Sequence, residues 1–292
     1  MISYNTKDWL TFIFRFHKSD TFRSLWPLLI FICLYSGIVA YFEIEYWKLS
    51  QNHHLKNITL MHGILSFVIS MLLVFRTNTA YERWWEGRKL WGALVNNSRS
   101  LSVKLSAMLP TTDLKDRQFF RTVIPQYAFA LKNHLQKEST RLELDEKEHP
   151  EFNGIAYEKH VPNQIHQIIF KKVNDLFVQQ KIQKEQYWML NNEMQAYADI
   201  CGACERIKNT PIPYSYSAFI KKFIFFYVMT LPWGYVFSLG YFVIPVVAFI
   251  FYVLASLELI AEEIEDPFGT DVNDLPMDKI CENIDKHVKE II

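Results

Sequence analysis

The stretch Ile58–Phe75, ITLMHGILSFVISMLLVF, runs directly into RTNTAYERWWEGRKLWG (76–92), and this junction decides the fold. Lys56 and Arg76 bound nineteen positions, 57–75, free of Asp, Glu, Lys and Arg. At about 1.5 Å rise per residue, a helix of that length just crosses the hydrocarbon core of a bilayer. Gly63, Ser66 and Ser70 supply small or polar positions that suit close helix approach better than lipid contact alone. Phe67, Met71 and Phe75 recur every four residues and so form one narrow stripe. Such a stripe packs against lipid or a neighbour, or lines a pore, and the spacing leaves these readings open.

From Phe75 and Arg76 through TNTAYERWWEGRKLWG, with Arg83-Trp84-Trp85 eight residues beyond Phe75, the sequence resembles the second membrane helix of bestrophins and its continuation into the cytosol. The resemblance implies a pentameric ion channel whose second helices surround the pore. It matches Phe67, Met71 and Phe75 to the family's hydrophobic neck.

The composition narrows the alternatives. With 31 basic and 31 acidic residues there is no global basic surface for nucleic acid. Half of the residues are hydrophobic, yet apolar runs occupy both ends of the chain and most charge lies between them. Cys33, Cys201, Cys204 and Cys281 are too few and too scattered for a secreted disulfide framework. No H-E-x-x-H, G-x-S-x-G or phosphate-cradling Gly loop is present, and the nine histidines are scattered, which speaks against a membrane-bound enzyme.

In chain order, MISYNTKDWLTFIFRFHKSDTFRSLWP (1–27) reads as an interfacial helix, with Trp9, Phe12, Phe16 and Trp26 at the headgroup level. Residues 24–42 form the first charge-free span and 57–75 the second. Between them lies a short polar connection in which His53 and His54, being adjacent, share no helix face and read as loop. Arg76, Arg83, Arg88, Lys89, Arg99 and Lys104 place the segment after the second span in the cytoplasm by the positive-inside rule. Trp84, Trp85 and Trp91 read as an interfacial belt with helix packing. QFFRTVIPQYAFALKNHL (118–135) and IHQIIFKKVNDLFVQQ (165–180) carry helical apolar periodicity, and the charged segment 141–163 reads as a loop.

A second resemblance begins at Asn192. CGACERIKNTPIPYSY (201–216) looks like the prokaryotic branch of the bestrophins, where it precedes the third membrane helix. Physically, Cys201, Gly202, Ala203 and Cys204 form a small-residue patch, favoured over a redox or metal pair, and Pro211 and Pro213 end the helix. Lys222 and Glu258 then enclose thirty-five uncharged residues, 223–257, interrupted by Pro232, Gly234, Gly240 and Pro245, which predicts a hairpin of two short or broken spans at about 223–239 and 240–258. Glu258, Glu262 and Glu265 share one helix face that suits the basic stretch after the second span. Asp266-Pro267-Phe268-Gly269 resembles the segment leading into the calcium clasp of animal bestrophins, to which Asp271 and Asp274 match. The dense acidic run of those proteins is absent, so turn and capping roles for the two carboxylates are favoured over a calcium site.

Residues 1–292 are thus expected to form one all-α channel unit with four membrane helices, a cytosolic helical region at about 76–222 and a cytosolic C-terminal segment, 259–292. The resemblance implies a homopentamer in a cell membrane, of the bacterial inner membrane type, and the basic clusters at the N-terminus and after the second span, with four spans in all, put both termini in the cytoplasm. Membrane lipid and permeant small ions are the expected partners, and no cofactor is required. An ungapped match of Asn192-Glu193-Met194 to animal bestrophins puts Glu185 at the cytosolic aperture, where a ring of carboxylates attracts cations. The charge therefore leans towards monovalent cations. An anion, or chloride, channel of the same architecture is the alternative, followed by a non-conducting scaffold.

Overall fold

The computed structural model describes residues 20–48, 54–136, 155–156 and 158–292. The expected interfacial residues Trp9, Phe12 and Phe16, His53, and most of the 141–163 loop lie outside them. All regular structure among the described residues is helical: α1 Asp20–Tyr41, α2 Ile58–Met108, α3 Leu114–Gln136, α4 Val161–Val178, α5 Lys184–Asn209, α6 Tyr214–Leu239, α7 Val243–Glu265 and α8 Met277–Ile291. A π-helical turn, Phe42–Tyr46, follows α1, and a 3-10 turn, Gly240–Phe242, separates α6 from α7.

The chain divides into two compact units. Of the described residues, one takes in 20–48, 54–82 and 211–265, the other 83–136, 155–156, 158–210 and 266–292. Helix α2 contributes its first part to the former and its remainder to the latter.

The apolar unit is a four-helix arrangement of alternating direction. Trp233 donates its indole N–H to Tyr35 Oη at 2.8 Å, and Tyr35 donates to the Met229 carbonyl at 3.0 Å, which ties α1 to α6; their common direction follows from α7, which opposes α1 and turns back from α6 through Gly240–Phe242. His62 meets Thr230 Oγ1 at 2.9 Å while Tyr216 reaches the Leu72 carbonyl at 3.4 Å, which sets the first part of α2 against α6 in the opposite sense. Gly37 faces Ile244 and Phe22 faces Tyr252, so α7 opposes α1. Ile32, Ile69, Leu73, Val228, Val247 and Phe251 fill the shared interior. Three stretches of this unit and its continuation, Thr21–Tyr46, Ile58–Met108 and Tyr214–Glu265, are long and apolar enough to cross a membrane, the last of them being divided into α6 and α7.

The predicted hairpin is present, but its helices are regular and long, with 26 residues in α6 and 23 in α7. Lys221, Lys222, Glu258 and Glu262 lie inside the helices at their ends, so a count of uncharged residues underestimates helix length. Gly240 makes the turn with φ +56° and ψ −138°, a region of backbone space open in practice to glycine alone.

The polar unit packs the later part of α2 with α3, α4, α5 and α8 around Trp91, Leu101, Phe120, Ile169, Leu190 and Ile284. The expected apolar face of α4 holds in Ile165, Ile169, Val173 and Leu176, which are buried, whereas Phe177 is exposed. Gln183 and Gln186 form a reciprocal capping box at the start of α5. The helix ends at Asn209, just before Pro211 and Pro213, as their missing amide hydrogens require.

Candidate pore-lining site

Along the first part of α2, two faces are sharply distinguished. Ile69 and Leu73, only 1% and 3% exposed, pack inward with His62. On the opposite side Phe67, Met71 and Phe75 are 68%, 43% and 57% exposed, and Leu60 and Ile64 extend the same apolar face towards the helix start. Within the subunit, then, the three stripe residues share an uncovered surface. The small and polar positions play a different part from the expected one. Ser66 Oγ donates to the Gly63 carbonyl at 2.8 Å and Ser70 Oγ to the Ser66 carbonyl at 2.7 Å, so both hydroxyls are satisfied within their own helix. Gly63 has no atom within 4 Å of where a Cβ would stand, so it mediates no close approach inside the subunit.

Arg76 follows the stripe in sequence but lies on the inward face and is 1% exposed. Its Nε donates to Glu258 Oε1 at 3.3 Å, and its Nη2 lies 2.8 Å from Glu265 Oε2. Two of the three glutamates on the acidic face of α7 thus meet the first residue of the basic stretch, as their spacing predicts. The third, Glu262, pairs instead with Lys221 of α6 at 2.8 Å. These ion pairs fasten α2 and α6 to the end of α7 on the side away from the exposed stripe.

The Arg83-Trp84-Trp85 triplet has anchoring contacts in the polar unit. Arg83 donates to the carbonyls of Thr210 and Ile207, at 2.5 and 2.7 Å, at the C-terminal end of α5, where a cation complements the helix dipole. Trp84 donates its indole N–H to the Asn273 carbonyl at 3.0 Å. Trp91 is fully buried in the core of this unit, so it belongs to helix packing and not to an interfacial belt.

Glu185 stands in the first turn of α5 and is exposed. The lysines close to it in sequence differ in their engagement: Lys181 is held by Asp113, at 2.5 Å, and by Asp116, while Lys184 is exposed beside Glu185. In the 266–276 segment, Asp274 is buried and its Oδ2 accepts the Asp271 backbone N–H at 2.6 Å. A Cβ on Gly269 would lie 2.6 Å from the same oxygen, so glycine leaves room for this carboxylate. Asp271 points its own side chain to the exposed surface. Cys201 and Cys204 are free thiols facing the core, where burial pushes Cys201 up to about 12 and Cys204 further still. Gly202, between them, has open space around it, so the motif splits between core and surface and does not form one small-residue contact.

The chain matches the profile of the Bacterial/Fungal Bestrophin protein family over residues 1–290. It is 34% identical over 232 residues to a voltage-dependent anion channel-forming protein of Nostoc sp., covering 78% of this chain and 76% of that protein. A voltage-dependent anion channel-forming protein of Escherichia coli strain K12 is 31% identical over 288 residues, covering 98% and 92%. The fold is similar to a crystal structure of a bacterial bestrophin homologue from Klebsiella pneumoniae, with a TM-score of 0.80 at 27% identity over 92% of this chain and 99% of that one.

Proposed function

The chain belongs to the bacterial/fungal bestrophin family, and from that premise we propose that it is a homopentameric membrane channel for small monovalent ions, with anions as the permeant class. The observation that carries the channel reading is the exposed apolar stripe of Phe67, Met71 and Phe75 on a helix otherwise fixed to its neighbours. Fivefold arrangement of that stripe produces a hydrophobic neck, where conduction depends on width and wetting. Four passes per subunit are supported by the alternating direction of α1, α2, α6 and α7. An even number of passes with the basic stretch beyond Phe75 inside leaves both termini in the cytoplasm, as in a bacterial inner membrane protein.

The choice of ion rests on the relatives. They are named as anion channel-forming proteins, which fits the anion alternative better than the cation preference drawn from Glu185. Those names also set the family apart from enzymes. The neck itself has no charge and so does not choose a sign. No cofactor enters this mechanism, and Asp271 and Asp274 act as loop residues: the Asp274 carboxylate already accepts the Asp271 N–H.

The test is conduction by the purified protein in a planar lipid bilayer under a sodium chloride gradient. Single-channel currents reversing near the chloride equilibrium potential are expected. Reversal near the sodium potential would restore the cation reading, and a silent bilayer with intact pentamers would favour the scaffold.

A further inference from the structure

In the polar unit, three side chains from three separate elements converge on one point. His134 lies in the last turn of α3, His160 immediately precedes α4, and Glu205 lies in α5. Both imidazoles aim Nε2 at Glu205 Oε1, from 2.7 Å for His134 and 2.5 Å for His160. The ring centroids are 4.4 Å apart with their planes inclined by 50°, so the rings flank the carboxylate without blocking it. The side chains are 33%, 30% and 29% exposed, so all three are within reach of solvent.

The simplest role of this cluster is a hydrogen-bonded clamp in which both rings donate to one carboxylate. The chemistry goes further. Two imidazole nitrogens and a carboxylate oxygen, all within 4.8 Å of one another, are the ligand set of a three-residue zinc-type centre with open positions for water. Ligands bonded at about 2.0–2.1 Å in a tetrahedron lie about 3.3 Å apart, so the two rings must draw back from Glu205 Oε1, now 2.7 and 2.5 Å away, by under about 1 Å to admit the ion. We propose that His134, His160 and Glu205 bind a divalent transition-metal ion of the zinc class, with both Nε2 atoms and the Glu205 carboxylate as ligands and water completing the shell.

Coordination has a specific consequence for α4. His160 Nδ1 accepts the Asn163 backbone N–H at 3.1 Å and caps the helix, which places the neutral ring's proton on Nε2. A metal at Nε2 requires that lone pair, so the proton transfers to Nδ1 through solvent and the capping bond is lost. The ion therefore replaces one helix cap by a link joining α3, the start of α4 and α5. This site uses no residue of the proposed neck and stands apart from the channel reading.

The full-length protein, stripped with a chelator in detergent, is titrated with zinc chloride by calorimetry and with cobalt chloride by visible absorption. One zinc ion per chain and the absorption bands of low-coordinate cobalt are expected. His134→Ala, Glu205→Gln and His160→Asn should each weaken binding at least tenfold. The asparagine is chosen because it remains a good helix cap, so this variant keeps the start of α4 while losing the ligand. Amide exchange at Asn163 should quicken when zinc binds. No binding by the wild type, unchanged affinity in His160→Asn and Glu205→Gln variants that elute like the wild type, or zinc-insensitive exchange at Asn163 would overturn the assignment.

Discussion

Arg76 shows how one position carries two meanings. At the end of a charge-free stretch a basic residue marks the cytoplasmic boundary, but this guanidinium is buried between Glu258 and Glu265 and does not extend to lipid headgroups. Removing it strands two carboxylates in a low-dielectric interior. Arg76→Met is therefore expected to lower stability by about 3–5 kcal/mol, read as the detergent-solubilised unfolding midpoint, and a loss within error of zero would mean the pairs are not formed. Gly269 makes a second residue-scale case, since its missing Cβ makes room for the Asp274 carboxylate. Gly269→Ala should destabilise by about 1–3 kcal/mol, and most of that loss should vanish in an Asp274→Ala background. A double-mutant cycle measures the coupling, and strict additivity would separate the two residues. The buried thiols give a third test. With its pKa at about 12, Cys201 stays protonated at neutral pH, so intact-mass analysis should find it unalkylated by iodoacetamide until the protein is unfolded.

At the scale of elements, the α6–α7 hairpin turns on Gly240. Its backbone lies where a side chain costs about 1–3 kcal/mol, so Gly240→Val should destabilise by at least that range and reduce the yield of assembled protein on size-exclusion chromatography; an unaffected variant would show that the turn relaxes. The hairpin itself was legible from 223–257, because glycine and proline interrupt an apolar run too long for one span and too short for two ideal ones. Its true length was hidden, since Lys221 pairs with Glu262 and Glu258 with Arg76, so these charges are satisfied and do not stop the helices. The stripe of α2 and the acidic face of α7 were equally visible, being set by period alone. For Trp91 the packing role was legible and the belt role was not borne out, for belt and core positions carry the same residue type and differ only in the register of distant helices. Not legible was the cluster of His134, His160 and Glu205, whose spacings follow no local motif and whose meeting depends on how α3, α4 and α5 pack.

For the whole molecule, conduction and the sign of the permeant ion have two candidate determinants, and they act differently. The proposed neck acts by dewetting: Met71→Ala and Phe75→Ala would widen and shorten an apolar constriction, so single-channel conductance should rise in both while ion preference changes little. Unchanged conductance from intact pentamers would remove the stripe from the pore. The role proposed for Glu185 is through charge. It is exposed in the first turn of α5, and in the proposed pentamer five such carboxylates form a ring at the cytosolic aperture. An anion channel can carry that ring only where the passage is wide enough for water and salt to screen it, since the screening length is about 8 Å at physiological ionic strength. Replacing each Glu185 by Lys changes the ring by ten charges in the pentamer, so the chloride-to-sodium permeability ratio should increase whichever ion the wild type prefers. The shift should shrink as salt is raised, because screening weakens the ring before it affects the uncharged neck. Reversal potentials in sodium chloride gradients at low and high ionic strength measure both effects. The same ratio in wild type and Glu185→Lys at low salt would place residue 185 away from the ion path and leave selectivity to other groups.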